Sequence, residues 1–385
     1  MAQKNGEEKV FVRGMEGVVA AETNISYVDG VHGRLYYQGY DIHDIAEEVS
    51  FSETVFLLWN GRFPTKEEND RLRSEIVSEM RIPSQVVEML KLIPPNGHPM
   101  TVLADAVCIL GIFDPEAADN SAQANKRKAK RLLAQIPTVI ADLHRLRKGL
   151  PLLSPDPHYG ISDNLLYMMR GTVPNDMERK VMDLLMVLHA DHGMNASTFT
   201  ARVIASTLSD MHSALTGAIG ALKGSLHGGA NQRVMEMILQ IGKVDLVQEY
   251  IAGMLENKQR IMGFGHRVYK TEDPRARHLR KYSQMLCEMK GQQELYDISH
   301  RIEDIVREAK GIYPNVDFYS ATVQNALGIP PEFFTTMFAA SRAAGWIAHI
   351  MEQYNDNRLI RPTSKYTGEL GLPFVPMGQR KAPKA

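Results

Sequence analysis

Two short strings set the fold class before composition is considered. Ser50-Phe51-Ser52-Glu53 and Thr65-Lys66-Glu67-Glu68 each place a hydroxyl three residues ahead of a glutamate. That is a capping box: hydroxyl and carboxylate satisfy the orphan backbone N–H groups at a helix start. Pro64 stops one helix before Thr65 opens the next. Apolar residues at helical spacing predict further helices over 84–93, 100–113, 125–148, 175–192 and 200–222. Others follow over 231–241, 244–257, 276–290, 293–309 and 331–353. Only Ile25–Tyr40, with its Asp29-Gly30 and His32-Gly33 turns, reads as a small hairpin. Strands do not alternate with crossover helices, which argues against a dinucleotide-binding parallel sheet. The expectation is an all-α chain with a minor N-terminal β-hairpin.

A length of 385 residues suggests two domains or one large one. Glycines at 224–229 and 263–265, with prolines at 314 and 330–331, mark seams around a smaller unit between about 229 and 328. A cleft belongs at such seams, where ligands commonly bind. The 44 Lys and Arg against 45 Asp and Glu argue against a general nucleic-acid binder. Within this balance, the basic run Asn125–Arg131 is expected to be a solvated helix face. Cys108 and Cys287 are expected to pack as small apolar groups rather than to do redox work. No run of about 18 apolar residues occurs, and the N-terminus lacks the apolar core of a secretory signal. These features predict a soluble, cytoplasmic protein.

Five polar groups stand where apolar ones are expected. Val181, Leu184, Leu185 and Leu188 form an inward stripe that His189 and His192 continue at i+4. A buried unpaired imidazole is costly, so either these rings bond nearby carbonyls or they serve a site. Ala214, Gly217, Ala218 and Ala221 form a small-residue face suited to tight packing or a subunit interface. It leads to His227, followed by Gly228 and Gly229, where backbone can approach a ligand closely. "GFGHRVYKTEDPR" (263–275) sets His266 on glycine-rich backbone with Lys270 and Arg275 close behind. It lacks the third glycine of a dinucleotide fingerprint. Asp317 lies between Val316 and Phe318, surroundings that raise a carboxylate's pKa towards neutrality, although a helix-capping Asp would look the same. Arg342 falls on an apolar helical face four after Phe338, and a buried guanidinium demands an anion. Arg361 precedes Pro362 and so lies in extended chain.

Arg275, Arg342 and Arg361 together suit a small substrate with two or three carboxylates. His227 and His266 can donate to carbonyl oxygens, and Asp317 can accept a proton. With no nucleophile elbow and no phosphate-binding loop, acid–base carbon chemistry fits better than covalent acyl transfer or phosphoryl transfer.

The strings "LHGGAN", "GFGHRVYKTEDPR" and "PNVDFYS", in this order, resemble the citrate synthase family, as do "HADHGMNASTFTAR", "SRAAGWIAHIMEQ" and "RPTSKYTG". The resemblance spans nearly the whole chain and is closest to the short bacterial and archaeal type. It implies a two-domain helical fold, with a large domain of 1–228 and 329–385 and a small one of 229–328 that closes over the substrates. It implies that His227, His266 and Asp317 are catalytic, and that His192, Arg275, Arg342 and Arg361 bind oxaloacetate, with His189 as a neighbour. Asn195 and Ser197 would orient the catalytic histidines. Arg260, Ile261, Met262, Gly263 and Phe264 would lie along coenzyme A, with Lys270 as a phosphate-binding cation. The resemblance further implies acetyl-CoA as cosubstrate, no metal, and a homodimer in which Arg361 crosses into the partner's active site. Gln232 departs from the Glu common in relatives, outside the residues with roles. Rival readings are 2-methylcitrate synthase using propionyl-CoA, a helical scaffold without catalysis, and a metallohydrolase on His189 and His192.

Overall fold

The computed structural model describes residues 11–380, which divide into two compact units. The terminal unit joins residues 11–22 with 360–380. It is irregular apart from the 3-10 turns Arg13–Met15 and Met377–Gln379, and it exposes Phe11, Val19, Leu370, Leu372, Phe374 and Met377.

The main unit, 23–359, opens with an antiparallel sheet of β1 (Ser26–Asp29), β2 (Arg34–Tyr37) and β3 (Tyr40–Asp41). Then come α1 (Ile42–Ile45), α2 (Phe51–Asn60), α3 (Lys66–Ser78), α4 (Ser84–Leu92), α5 (Pro99–Phe113) and α6 (Ala122–Arg147). Next are α7 (Ile161–Arg170), α8 (Asp176–His189), α9 (Ala196–Ser206) and α10 (Met211–Lys223). After the glycine-rich 224–229 segment follow α11 (Ala230–Ile241), α12 (Val247–Glu256), α13 (Pro274–Met289), α14 (Gln293–Lys310) and α15 (Val316–Ala326). The long α16 (Phe334–Asn355) closes the unit. The all-α expectation holds, with a third short strand added to the hairpin.

Both capping boxes form as their sequences dictate. Ser50 Oγ accepts from Glu53 N at 3.3 Å while Glu53 Oε2 accepts from Ser50 N at 2.8 Å. Thr65 and Glu68 repeat the exchange at 3.3 and 2.8 Å. Asn175 and Glu178 build a third box at the start of α8. The core gathers on α16, whose Ala343, Ala344, Trp346 and Ile347 are fully buried and which packs against α2, α6, α8, α9 and α10. Side chains of this kind contribute about 1.5–3 kcal/mol each when removed from water. Tyr37 ties the sheet to this core: its hydroxyl lies 3.0 Å from the carbonyl oxygens of Val187 and Asp191 at the end of α8.

Several expectations are corrected. The helix expected over 200–222 is two, because Asp210 Oδ1 accepts from Ser213 N at 2.8 Å and starts α10, while Leu208 turns at φ +64°. Gly217 then allows the close approach: a Cβ there would run into Ile204 on α9. The helix expected to carry both His189 and His192 ends at His189. Residues 331–353 begin as a 3-10 turn, Pro331–Phe333, before α16. The run 125–131 is not simply solvated: Asn125, Lys128 and Ala129 are buried, and Lys128 Nζ donates to Asp119 O at 2.6 Å. Cys287 is buried as expected, whereas Cys108 is exposed. Among the described residues, no helix is long and apolar enough to cross a membrane.

Two glycines should respond oppositely to alanine. A Cβ on Gly345 would collide with Ala190 O and Asp191 Oδ1 behind α8, whereas one on Gly253 in α12 meets nothing within 4 Å. Gly345→Ala is expected to destabilise by about 1–3 kcal/mol. Gly253→Ala should stabilise by roughly 0.5–1 kcal/mol. Denaturant midpoints measure both, and equal shifts would contradict the packing described.

Candidate active site

Three turns and the helices beside them bring the polar groups together. The first turn leaves α8. Asp191, fully buried, accepts from Gly193 N at 3.0 Å and from Ser26 Oγ on β1, and lies 3.4 Å from His349 Nε2 on α16. Gly193 takes φ +57° to complete the turn. His192 is thereby left off the helix but 8% exposed, with Nε2 3.1 Å from Tyr269 Oη.

The second turn is the glycine loop of residues 263–272. Gly263 and Gly265 sit at φ +82° and +73°, and a Cβ on Gly263 would strike Phe318 and Val234. Their backbone is laced to the residues preceding α15. Asn315 N donates to Gly263 O at 2.8 Å, and Gly265 N donates to Tyr313 O at 2.9 Å. The loop and the N-terminus of α15 therefore hold each other. His266 Nδ1 accepts from Val268 N at 3.0 Å and Tyr269 N at 3.1 Å. A neutral His266 then carries its proton on Nε2. Its ring lies 5.1 Å from that of His192, centroid to centroid.

Asp273 joins this loop to two helices. It caps α13 by accepting from Arg275 N at 3.0 Å, grips Arg275 Nε and Nη2 at 3.0 and 2.8 Å, and accepts from Val316 N at 3.1 Å. Arg275, expected to face a substrate, is thus paired with Asp273 on two of its three nitrogens. Only its Nη1 makes no hydrogen bond among the described residues. The first residues of α15 place Asp317, which does not cap the helix: Asn315 Oδ1 accepts from Asp317 N at 3.0 Å. The Asp317 carboxyl is left 8% exposed, with Oδ1 buried and unpartnered.

The third turn, after α10, presents His227. Asn195 caps α9, its Oδ1 accepting from Ser197 N and Thr198 N at 3.1 Å each. The Ser197 hydroxyl lies 2.7 Å from that same Oδ1, 2.8 Å from His227 Nε2 and 3.1 Å from the donating Trp346 Nε1. Asn195 and Ser197 thus orient one of the histidines, His227. Its Nδ1 makes no hydrogen bond among the described residues.

Arg342, 1% exposed on α16, donates from Nε to His189 O at 2.7 Å and lies 4.8 Å from the Phe338 ring centroid. Its Nη2 is buried without a partner. His189 donates from Nδ1 to Leu185 O at 2.8 Å, so its buried Nε2 offers a lone pair rather than a donor.

Burial governs the charges. It lowers the pKa of His227 to about 4, helped by Arg342, and that of His266 to about 4, helped by Arg275. His189 falls to about 3 through burial. His192 falls well below the ordinary range, first through burial, then through Arg275, His266, Arg342 and His227. Burial raises Asp317 to about 7 against the pull of Arg275, and lowers Arg342 to about 10. Near neutrality the site holds uncharged imidazoles, a carboxyl poised to give or take a proton, and a guanidinium lacking an anion.

The structure therefore gathers His189, His192, His227, His266, Arg275, Asp317 and Arg342. Arg361 belongs to the terminal unit, where it is exposed. In the expected cofactor segment, Ile261 and Phe264 are buried, the latter 4.6 Å from the Phe318 ring, whereas Arg260 and Lys270 are exposed. Sequence reasoning missed Tyr269, Asp191 and Asp273. Only Asp273, directly ahead of Pro274 at a helix start, carried a readable capping signal. No group of three or more His, Cys, Asp or Glu able to hold a metal ion occurs among the described residues. A surface cavity of about 360 Å³ beside Trp59, Arg62, Arg71 and Lys130 contains none of the gathered residues.

A sequence profile described as "Citrate synthase, C-terminal domain" matches residues 14–363. Citrate synthase 2 of Bacillus subtilis is 48% identical over 369 residues, covering 96% of this chain and 99% of that protein. The 2-methylcitrate synthase of Shewanella oneidensis is 38% identical over 375 residues, covering 97% and 99%. Among solved structures, the ternary complex of carboxymethyl coenzyme A and oxaloacetate with Thermoplasma acidophilum citrate synthase superposes with a TM-score of 0.91 at 31% identity. It covers 96% of this chain and 99% of that one.

The unpaired guanidinium generates a test. Small dicarboxylates should raise the thermal midpoint, with a ligand at 100 times its Kd adding about 2.7 kcal/mol. Arg342→Gln should abolish that rise while leaving the ligand-free midpoint equal or higher, because a buried charge without a counter-ion is itself a cost. Undiminished stabilisation of the variant would remove Arg342 from the binding site.

Proposed function

This chain belongs to the citrate synthase family, and from that premise we propose how its own residues carry the reaction. Its activity is that of citrate synthase, joining acetyl-CoA to oxaloacetate and water to give citrate and CoA. The observation that carries the assignment of roles is Asp317: a buried, unpartnered carboxyl with a pKa near 7, on the helix whose start is laced to the His266 loop.

Asp317 removes a proton from the acetyl methyl group. His227, held at Nε2 by the Ser197 hydroxyl 2.8 Å away, donates a hydrogen bond to the thioester oxygen as the enolate forms. Such a donor is worth about 3–4 kcal/mol in the transition state. A placed base contributes roughly 10²–10⁴ in rate. The enolate carbon attacks the ketone of oxaloacetate, whose oxygen receives the Nε2–H of His266. Water then cleaves the thioester of citryl-CoA, releasing citrate and CoA. Arg342 Nη2, Arg275 Nη1 and His192 hold the oxaloacetate carboxylates. His189 acts through its carbonyl, which orients Arg342.

Residues 229–328 serve as the small domain. They supply His266, Arg275 and Asp317 on mutually packed α11–α15, while 1–228 and 329–385 supply His189, His192, His227 and Arg342. Closure of one on the other excludes water until the carbon–carbon bond exists. Coenzyme A lies along Arg260–Phe264, with the exposed Arg260 and Lys270 near its phosphates. The active form is a homodimer in which Arg361 completes the partner's site, in keeping with the apolar side chains exposed on the terminal unit. Free cysteines and acyl-CoA chemistry suit the cytoplasm.

Propionyl-CoA is the second reading, favoured by relatives such as the citrate/2-methylcitrate synthase of Bacillus subtilis, 40% identical over 364 residues. One methylene is worth only about 1–3 kcal/mol. Acetyl-CoA is expected to lead in kcat/KM by roughly tenfold or more, and a propionyl preference would reverse the choice. Asp317→Asn should leave oxaloacetate affinity nearly intact while turnover drops by about 10²–10⁴. Near-normal turnover by this variant would refute Asp317 as the base.

A further inference from the structure

Tyr269 stands between the two histidines that face oxaloacetate in the reading above, and it touches both. Its backbone N–H donates to His266 Nδ1 at 3.1 Å, and its ring centroid lies 4.7 Å from that of His266. Its hydroxyl lies 3.1 Å from His192 Nε2, and the side chain is 3% exposed. A buried phenol must place its hydrogen on an acceptor, and His192 Nε2 is the only one within hydrogen-bond reach among the described residues. Burial, reinforced by Asp273, Tyr37 and Asp29, keeps the phenol protonated well beyond its usual range, so a hydrogen is always there to give.

We propose that Tyr269 is a positioning residue that fixes the protonation pattern of both imidazoles. Its O–H donates to His192 Nε2, which leaves the single proton of a neutral His192 on Nδ1. Its N–H, together with that of Val268, donates to His266 Nδ1, which leaves the proton of His266 on Nε2. Each ring then keeps one N–H free for a substrate oxygen: one for a carboxylate, the other for the ketone. Without this arrangement, a neutral imidazole presents either a donor or a lone pair, and a lone pair repels a carboxylate.

The loop is anchored so that one residue, through its hydroxyl and its backbone N–H, reaches both rings. Lys270 N donates to Gly30 O at 2.8 Å in the β1–β2 turn, and a Cβ on Gly30 would run into Val268 O. The strand that holds the Asp191–Gly193 turn through Ser26 thus also seats the residue next to Tyr269.

The inference rests on the proposed function only for which oxygens are bound; its spectroscopic test needs no turnover. With ¹⁵N-histidine labelling of the full chain, the signal lost in His192→Gln should show a protonated Nδ1 and an unprotonated Nε2 in the free wild-type protein. A protonated Nε2 there would overturn the proposal, whether or not Tyr269→Phe folds. In Tyr269→Phe the Nδ1–H population should fall, and calorimetry should show oxaloacetate binding weakened roughly three- to tenfold, the loss of about one neutral hydrogen bond. An unchanged His192 spectrum with unchanged affinity would equally overturn it. A wild-type protein that forms no citrate would sink the function proposed above while leaving the spectrum to be judged separately.

Discussion

Removing ionisable groups from water without giving each a counter-charge is the constraint on which this structure turns. Arg342 is 1% exposed and hydrogen-bonds only to a carbonyl oxygen, with one guanidinium nitrogen buried and idle. The helix that carries it is buried along most of its length, so the cost of that charge is borne by the packing of Trp346 and its neighbours. A fold optimised for stability alone would place an apolar residue there. The unmet demand for an anion is stored binding energy. The same desolvation keeps the imidazoles neutral, which makes them hydrogen-bond donors of fixed direction rather than diffuse cations.

The supporting layer is charged but has a cation or imidazole set against each carboxylate, and that contrast separates scaffold from site. Asp191 and Asp273 are as deeply buried as the working residues, yet both are held below the usual carboxylate range by partners: His349 for the first, Arg275 for the second. Each closes a turn that a histidine rides on. Asp317 lacks such partners and moves the other way. Three buried aspartates on related turns therefore have opposite protonation behaviour, decided by whether a donor or cation sits against them.

The sequence was most legible where local rules act alone. The capping boxes, the helical periodicity and the glycine breaks at 224–229 and 263–265 follow from nearest-neighbour chemistry, and the structure keeps them. The β-hairpin was also readable from its turns, though not its task, because Gly30 and Ser26 reach residues more than 160 positions away. The break between α9 and α10 was hidden by the apolar spacing on either side of it, although Asp210 with Ser213 three positions later was a readable cap. His192 was read as part of a helical stripe, whereas a tertiary hydrogen bond from β1 to Asp191 ends the helix first. Arg275 was legible as a cation for an anionic ligand, but its pairing with Asp273, two residues earlier, was not. Nothing in the sequence singles out Tyr269, and only three-dimensional placement gives its hydroxyl a partner.

Because neutral groups do the work, the account depends on burial outweighing the nearby cations at one carboxyl. Arg275 and Arg342 both pull Asp317 towards ionisation, and desolvation opposes them. The most direct measurement is a ¹³C-carboxyl NMR titration of Asp317 in the ligand-free protein, with the resonance assigned by its loss in Asp317→Asn. The account predicts a midpoint near 7. A midpoint near 4, ordinary for an exposed aspartate, would mean that the cations prevail, and would contradict it.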